Sequence, residues 1–137
     1  MRNDLGIEEL ALDQAWELLD HNPDATLVDV RTVAEWKYVG VPELSSISKT
    51  VRLVEWTCFR DGAVNPDFVT EASEGLDLDQ PVLLLCRSGV RSLSAAKALK
   101  EAGHTCTYSV AAGFEGDLDQ NGHRHEGWKD YLPWKQS

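Results

Sequence analysis

The sequence predicts an α/β fold built on a parallel sheet with helices packed on both faces. Two observations carry that expectation. Short β-branched or apolar runs alternate along the chain with segments patterned as helices, the order that builds a covered parallel sheet. One run, Val82-Leu83-Leu84-Leu85-Cys86, is apolar without a break, as in a strand buried on both faces. The 137 residues suit one domain, since domains cluster at roughly 100–150 residues. A chain of this size buries about two-thirds of its unfolded surface, enough for a core without disulfides.

In chain order, Leu10, Ala11, Ala15, Leu18 and Leu19 form a helical stripe over residues 10–20, with Trp16 at its edge. Asn22-Pro23-Asp24 stops that helix, because proline lacks the donor a helix interior requires. Thr26-Leu27-Val28-Asp29-Val30 reads as a strand. Thr32 offers an N-cap, and Glu35 completes a capping box for a brief helix through Trp36, which Gly40-Val41-Pro42 breaks. Residues 50–56 are strand-like, and Asp61-Gly62 signals a turn. Asn65 is expected as the N-cap of the next helix, with Pro66 at its first position. The buried strand at 82–86 follows Pro81. Residues 92–102 form a helix rich in Ala, Leu, Lys and Glu, stopped by Gly103. Residues 105–110 alternate weakly as another strand, with Cys106 expected in the core.

Acids outnumber bases 23 to 13, for a formal charge of −10. A nucleic-acid partner needs a basic face, and an anionic membrane attracts one, so both are disfavoured. The longest apolar run is far short of the roughly 20 residues that cross a bilayer. MRNDLGIEEL has no apolar stretch of the kind that makes a signal peptide. Cys58, Cys86 and Cys106 form no C-x-x-C pair, a usage suited to a reducing compartment. The expected location is the cytoplasm.

Ligands of such sheets bind beyond the carboxyl ends of the strands. Cys86 stands at that edge, followed by Arg87-Ser88-Gly89-Val90-Arg91-Ser92 and a helix. The helix N-terminus offers unpaired N–H groups and partial positive charge. Gly89 permits the positive φ that turns successive N–H groups inward as an anion nest. Arg87 and Arg91 add two cations within five residues of the sulfur. Such surroundings ionise a thiol below the free-cysteine pKa of about 8.5, which activates it as a nucleophile. A cysteine ending an apolar strand is by itself more often an inert core residue. The coincidence of strand, cysteine, glycine, two arginines and helix cap points the other way.

Cys86-Arg87-Ser88-Gly89-Val90-Arg91-Ser92 resembles the active-site loop of single-domain rhodaneses, the thiosulfate sulfurtransferases. Leu27-Val28-Asp29-Val30-Arg31 with Glu35-Trp36, the turn Val39-Gly40-Val41-Pro42, Ala112-Gly113-Phe114, Gly127-Trp128 and Leu132-Pro133-Trp134 extend the likeness over residues 12–134. Two departures stand out. The family's Gly-His-Ile-Pro-type turn lacks its histidine here, with Val41 in the vicinity. Residues 115–126 also intervene before Gly127-Trp128, a segment expected at the pocket rim or on a partner surface. The resemblance implies one rhodanese-like α/β domain over residues 1–137, with a central, mostly parallel sheet of about five strands flanked by helices. It further implies a persulfide on Cys86, loaded from thiosulfate or a similar donor and unloaded to cyanide, a thiol or a protein acceptor, with no cofactor.

In that scheme the amides of residues 87–91 stabilise the outer sulfur, and Arg87 or Arg91 holds the donor's sulfonate, whose oxyanions match guanidinium geometry. Asp29 is either a partner for an active-site arginine or backbone donor, or an exposed strand-end acid; Arg31 shares the ambiguity. A Cys-based phosphatase or arsenate reductase is disfavoured. Those loops resemble Cys-x5-Arg, whereas four residues separate Cys86 from Arg91, and no acid adjoins Cys86 to protonate a leaving group. The same loop would also suit a rhodanese-like binding module without catalysis, or a persulfide carrier serving a protein partner. His21, His104, His123 and His125 lack zinc-type spacing and are expected as solvated loop residues. Cys58 is expected to be packed, or else to act as a resolving thiol. The five tryptophans are expected in packing. No dinucleotide fingerprint, Walker loop or serine elbow is present. At physiological salt the screening length is about 8 Å, so the loop's own field, not the net charge, governs anion binding.

Overall fold

The apolar run at 82–86 becomes the centre of the sheet. A computed structural model describes residues 6–57 and 62–136; Cys58 and Asp61 lie outside them. In chain order come β1 (Glu8–Leu10), α1 (Leu12–His21), β2 (Thr26–Asp29), α2 (Val33–Tyr38), β3 (Val41–Pro42) and a 3-10 turn (Ser45–Ile47). Then follow β4 (Arg52–Leu53), α3 (Phe68–Ser73), β5 (Val82–Leu85), α4 (Val90–Glu101) and β6 (Thr107–Val110). The chain closes with β7 (Gly116–Leu118), β8 (Arg124–Glu126), α5 (Trp128–Tyr131) and β9 (Trp134–Lys135). Five strands form one sheet in the order β1-β6-β5-β2-β4, and every pairing within it is parallel.

Side chains alternate across β5 because a strand has a period of two. Val82, Leu84 and Cys86 pack with Phe68 and Ala72 of α3 and Ala95, Ala96 and Leu99 of α4. Leu83 and Leu85 face Ala15 and Leu19 of α1, together with Phe114 and Trp128. Both faces are thus sealed, which is why the run needs no polar residue. Cys86 continues the row that looks toward α4, and that alternation sets the direction of its sulfur.

The end of β2 carries an ion pair with no exposed surface. Arg31 Nε and Nη2 donate to Asp29 at 3.0 and 2.7 Å, and Nη2 also donates to the Gly40 carbonyl at 2.6 Å. The guanidinium lies 4.1 Å from the centre of the Phe114 ring, while Nη1 has no acceptor among the described residues. Asp29 is therefore no exposed strand-end acid, and its partner is Arg31 rather than an arginine of the 86–92 loop. The pair instead joins β2, the Gly40 turn and Phe114.

Several sequence expectations shift. The first helix starts at Leu12, because residues 8–10 pair with β6 as a short edge strand that the continuous stripe concealed. Of residues 50–56, only Arg52–Leu53 ladders as a strand, although Val54 and Trp56 still donate to the carbonyls of Asp29 and Val30. Asn65 does not cap α3; its side chain accepts from Asp67 N–H and donates to Glu55 O and Glu71, so the helix begins at Phe68. Residues 115–126, expected only as an intervening segment, form the β7–β8 hairpin, whose turn carries Asn121-Gly122. Cys106 is half-buried just before β6, not in the core, and His104 is buried rather than solvated. Among the described residues no helix is long and apolar enough to cross a membrane.

Arg31→Met should destabilise the fold by roughly 3–5 kcal/mol, because Asp29 then stays buried without a counterion. Urea unfolding measures this, and pairing the change with Asp29→Leu should recover much of the loss. Equal midpoints for parent and single variant would refute the role given to the pair.

Candidate active site

Cys86 follows the last residue of β5 and is only 1% exposed, so the sulfur sits at the floor of its loop. Its Sγ accepts a hydrogen bond from Gly89 N–H at 3.0 Å and lies 3.3 Å from Ser92 Oγ. Gly89 takes φ +100°, and helix α4 starts directly after it, so Val90, Arg91 and Ser92 are its first turn and not the end of a separate loop. Glycine here has no side chain to cap the helix; its own N–H turns back to the sulfur instead. The N–H groups of Arg87, Ser88, Val90 and Arg91 have no protein acceptor among the described residues.

Main-chain clamps hold this shape. Phe114 N–H donates to Cys86 O at 2.7 Å, and the N–H groups of Glu115 and Gly116 donate to Arg87 O at 3.0 and 3.2 Å. In a trans peptide the N–H points opposite to its C=O, and no peptide bond described is cis. Pinning the Cys86 and Arg87 carbonyls therefore turns the N–H groups of Arg87 and Ser88 away from the 113–116 segment. That segment is fixed in turn, because Trp128 and Lys129 at the start of α5 donate to the carbonyls of Gly113 and Phe114 at 2.8 and 3.0 Å. Two glycines are required by close approach as well as positive φ: a Cβ on Gly89 would strike Ala111 O, and one on Gly113 would strike Arg87 O.

The two arginines separate. Arg91 makes a bidentate pair with Glu35, at 2.7 Å from Nη1 and 3.0 Å from Nη2. Glu35 also completes the expected capping box, accepting from Thr32 N–H at 3.2 Å. Burial pushes the Glu35 carboxyl up, but Arg91's hydrogen bond and charge, the backbone bond at Thr32 and Arg31's charge outweigh it and hold the carboxyl below its ordinary value of 4.5. Arg91 is raised in its turn, first by the Glu35 hydrogen bond. Arg91 is thus committed to α2 and positions the helix start, while Arg87 is exposed at the loop.

Of the residues singled out in the sequence, Cys86, Arg87, Ser88, Gly89, Val90, Arg91 and Ser92 come together as one turn, and Val90 projects 72% exposed at its rim. Asp29 and Arg31 support the floor through Phe114 without touching the sulfur. Sequence reasoning missed Glu35 as the holder of Arg91, Ser109 behind Ser92, and the 113–116 clamp. The long separations carry no local signal, although the Gly113-Phe114 pair marked the place of the clamp. Among the described residues no cluster of His, Cys, Asp and Glu could hold a metal ion.

Glu35→Gln keeps the volume and loses the charge. Because the folded-state value is lowered, Glu35's contribution is complete above its ordinary value of 4.5 and fades as pH falls through the lowered one. The stability gap between parent and Glu35→Gln should therefore be constant at neutral pH and close in acid, as read by urea unfolding over a pH series. A gap that widened in acid would contradict the assignment.

The profile of the rhodanese-like domain matches residues 11–119. The crystal structure of Rv0390 from M. tuberculosis is 48% identical, covers 95% of this chain and 98% of that one, and superposes with a TM-score of 0.87. The solution structure of a polysulfide-sulfur transferase homodimer from Wolinella succinogenes is 26% identical, covers 96% of this chain and 80% of that one, and has a TM-score of 0.63. Thiosulfate sulfurtransferase GlpE of Glaesserella parasuis is 32% identical over 79% of this chain and 83% of its own length. With the family profile spanning most of its length and a named sulfurtransferase among its relatives, the chain belongs to the rhodanese-like domain family.

Proposed function

We propose that this protein is a sulfurtransferase that carries sulfane sulfur as a persulfide on Cys86, with thiosulfate or a similar small anion as donor. One observation carries the reading: Cys86 Sγ accepts from Gly89 N–H at the start of α4, in a loop whose N–H groups at residues 87, 88, 90 and 91 have no protein acceptor among the described residues. Such donors favour an ionised sulfur and any anion that lodges above it.

The thiolate attacks the outer sulfur of thiosulfate. A new S–S bond forms, the old one breaks, and its electron pair leaves with sulfite. The charge now sits on the outer sulfur of Cys86–S–S⁻, within reach of the N–H groups of residues 87, 88, 90 and 91. An acceptor thiolate or cyanide then attacks that sulfur, and Cys86 departs as thiolate, so the two half-reactions are ping-pong. With Arg91 bound to Glu35, Arg87 is the loop cation that meets the sulfonate of the incoming donor. Near-complete burial of Cys86 favours a donor no larger than a few heavy atoms. The cysteine usage accords with a reducing compartment, and the reading takes the protein as a cytoplasmic, single-domain enzyme that works without a cofactor.

Incubation with thiosulfate followed by intact-mass measurement should add one sulfur atom to the parent and none to Cys86→Ser. Sulfur retained by Cys86→Ser would end the assignment; loading only by a protein persulfide donor, and not by thiosulfate, would make the protein a carrier. Arg87→Ala should raise the KM for thiosulfate roughly three- to tenfold with little change in kcat, since it removes attraction and leaves the nucleophile in place. Steady-state sulfite release measures it, and an unaltered KM would remove Arg87 from donor binding.

A further inference from the structure

Behind the sulfur lies a row of polar groups that the main-chain ring does not explain. Cys86 Sγ is 3.3 Å from Ser92 Oγ, and Ser92 Oγ is 2.7 Å from Ser109 Oγ. Both serines are fully buried. Register brings them together: Ser109 lies beside Leu84 in the sheet, on the face that α4 covers, and Ser92 is in the first turn of α4.

The protons of this row can be counted. Among the described residues, Ser92 is the sole hydrogen-bond partner of the Ser109 hydroxyl. A buried O–H without an acceptor is costly, so Ser109 donates to Ser92 Oγ. With Ser109 as donor the Ser92 proton is left for Cys86, so the sulfur, which already accepts from Gly89 N–H, takes as a thiolate the acceptor side of the 3.3 Å contact in which a neutral thiol would donate. The row has two links, and the two serine protons fill them. A proton on the sulfur is a third, with no acceptor in the row. Donation along the chain also polarises each hydroxyl toward the sulfur. Without Ser109, the Ser92 hydroxyl is free to rotate and turn its proton to a neighbouring main-chain carbonyl.

We propose that Ser109 is a positioning residue that acts through Ser92 to hold the Cys86 sulfur in its anionic form. This rests on the reading of Cys86 as the sulfur-carrying nucleophile, and it serves both half-reactions. The thiolate is the attacking group when sulfur is loaded and the leaving group when sulfur is passed on. The charged groups around the sulfur are Arg91 from α4 with its partner Glu35 from α2, the Asp29–Arg31 pair at the end of β2, Arg87 in the loop itself and Glu115 in the clamping segment. From β6 the sulfur's surroundings receive a hydroxyl and no charge.

The test is an ultraviolet titration of the thiolate, taken for each chain as the difference from its Cys86→Ser counterpart. Ser109→Ala should move the ionisation midpoint to higher pH by about one unit, equivalent to a roughly tenfold smaller thiolate fraction below it. Ser109→Thr, which restores the hydroxyl, should return the midpoint toward that of the parent. Ser109→Val matches threonine in shape without the donor, so the Thr–Val comparison carries the test if the alanine chain does not fold. A midpoint indifferent to the hydroxyl overturns the proposal, whatever the melting temperatures do. Thiosulfate loading by mass is read separately. A shifted midpoint in a protein that takes up no sulfur defeats the sulfur-transfer reading alone, and an unshifted midpoint in one that loads defeats the role of Ser109 alone.

Discussion

The molecule depends on the hydrogen bonds from the N–H groups of Phe114, Glu115 and Gly116 to the carbonyls of Cys86 and Arg87. A loop of unpaired N–H groups around one atom is not a low-energy shape on its own, since its dipoles repel and its backbone has lost entropy. The clamp supplies what the loop lacks. It occupies the outward carbonyls, and peptide planarity then fixes the N–H directions. The start of α5 holds the clamp, and the Asp29–Arg31 pair holds Phe114 from beneath, so order passes inward from the core to the loop.

On the proposed reading, a chain of formal charge −10 presents a site for anions at this loop. The distant carboxylates are screened within about 8 Å at physiological salt. Close to the sulfur stands the fixed dipole of the Gly89 N–H at the start of α4, which needs no side-chain ordering. Arg91 contributes as a structural tie, because its charge is met by Glu35 at 2.7 Å. That leaves Arg87 as the exposed arginine of the loop.

The β7–β8 hairpin grows directly out of the clamp. Glu115 and Gly116 bind Arg87 O, and Arg124 of β8 donates to Gly116 O at 2.9 Å. The segment that departs from the family pattern is thus continuous with the wall of the site.

Local pattern was enough to read the alternation of strands and helices, the burial of β5, the Thr32–Glu35 capping box and the glycine turn that follows Cys86, though not the start of α4 at Val90. Each depends on residues within a few positions of one another, where periodicity and backbone preference act directly. The short edge strand β1 and the hairpin escaped notice because three-residue strands take their identity from a partner rather than from their own sequence. The site's finer chemistry was decided only when the chain closed. Glu35 reaches Arg91 across 56 positions and Ser92 reaches Ser109 across 17, and strand register and helix packing alone bring such groups within hydrogen-bonding distance. The amino-acid sequence by itself determined that there would be a cysteine at a sheet edge before a helix. The tertiary structure decided which arginine remained free and which hydroxyls stood behind the sulfur, because hydrogen bonds and ion pairs depend on distance in space and not along the chain.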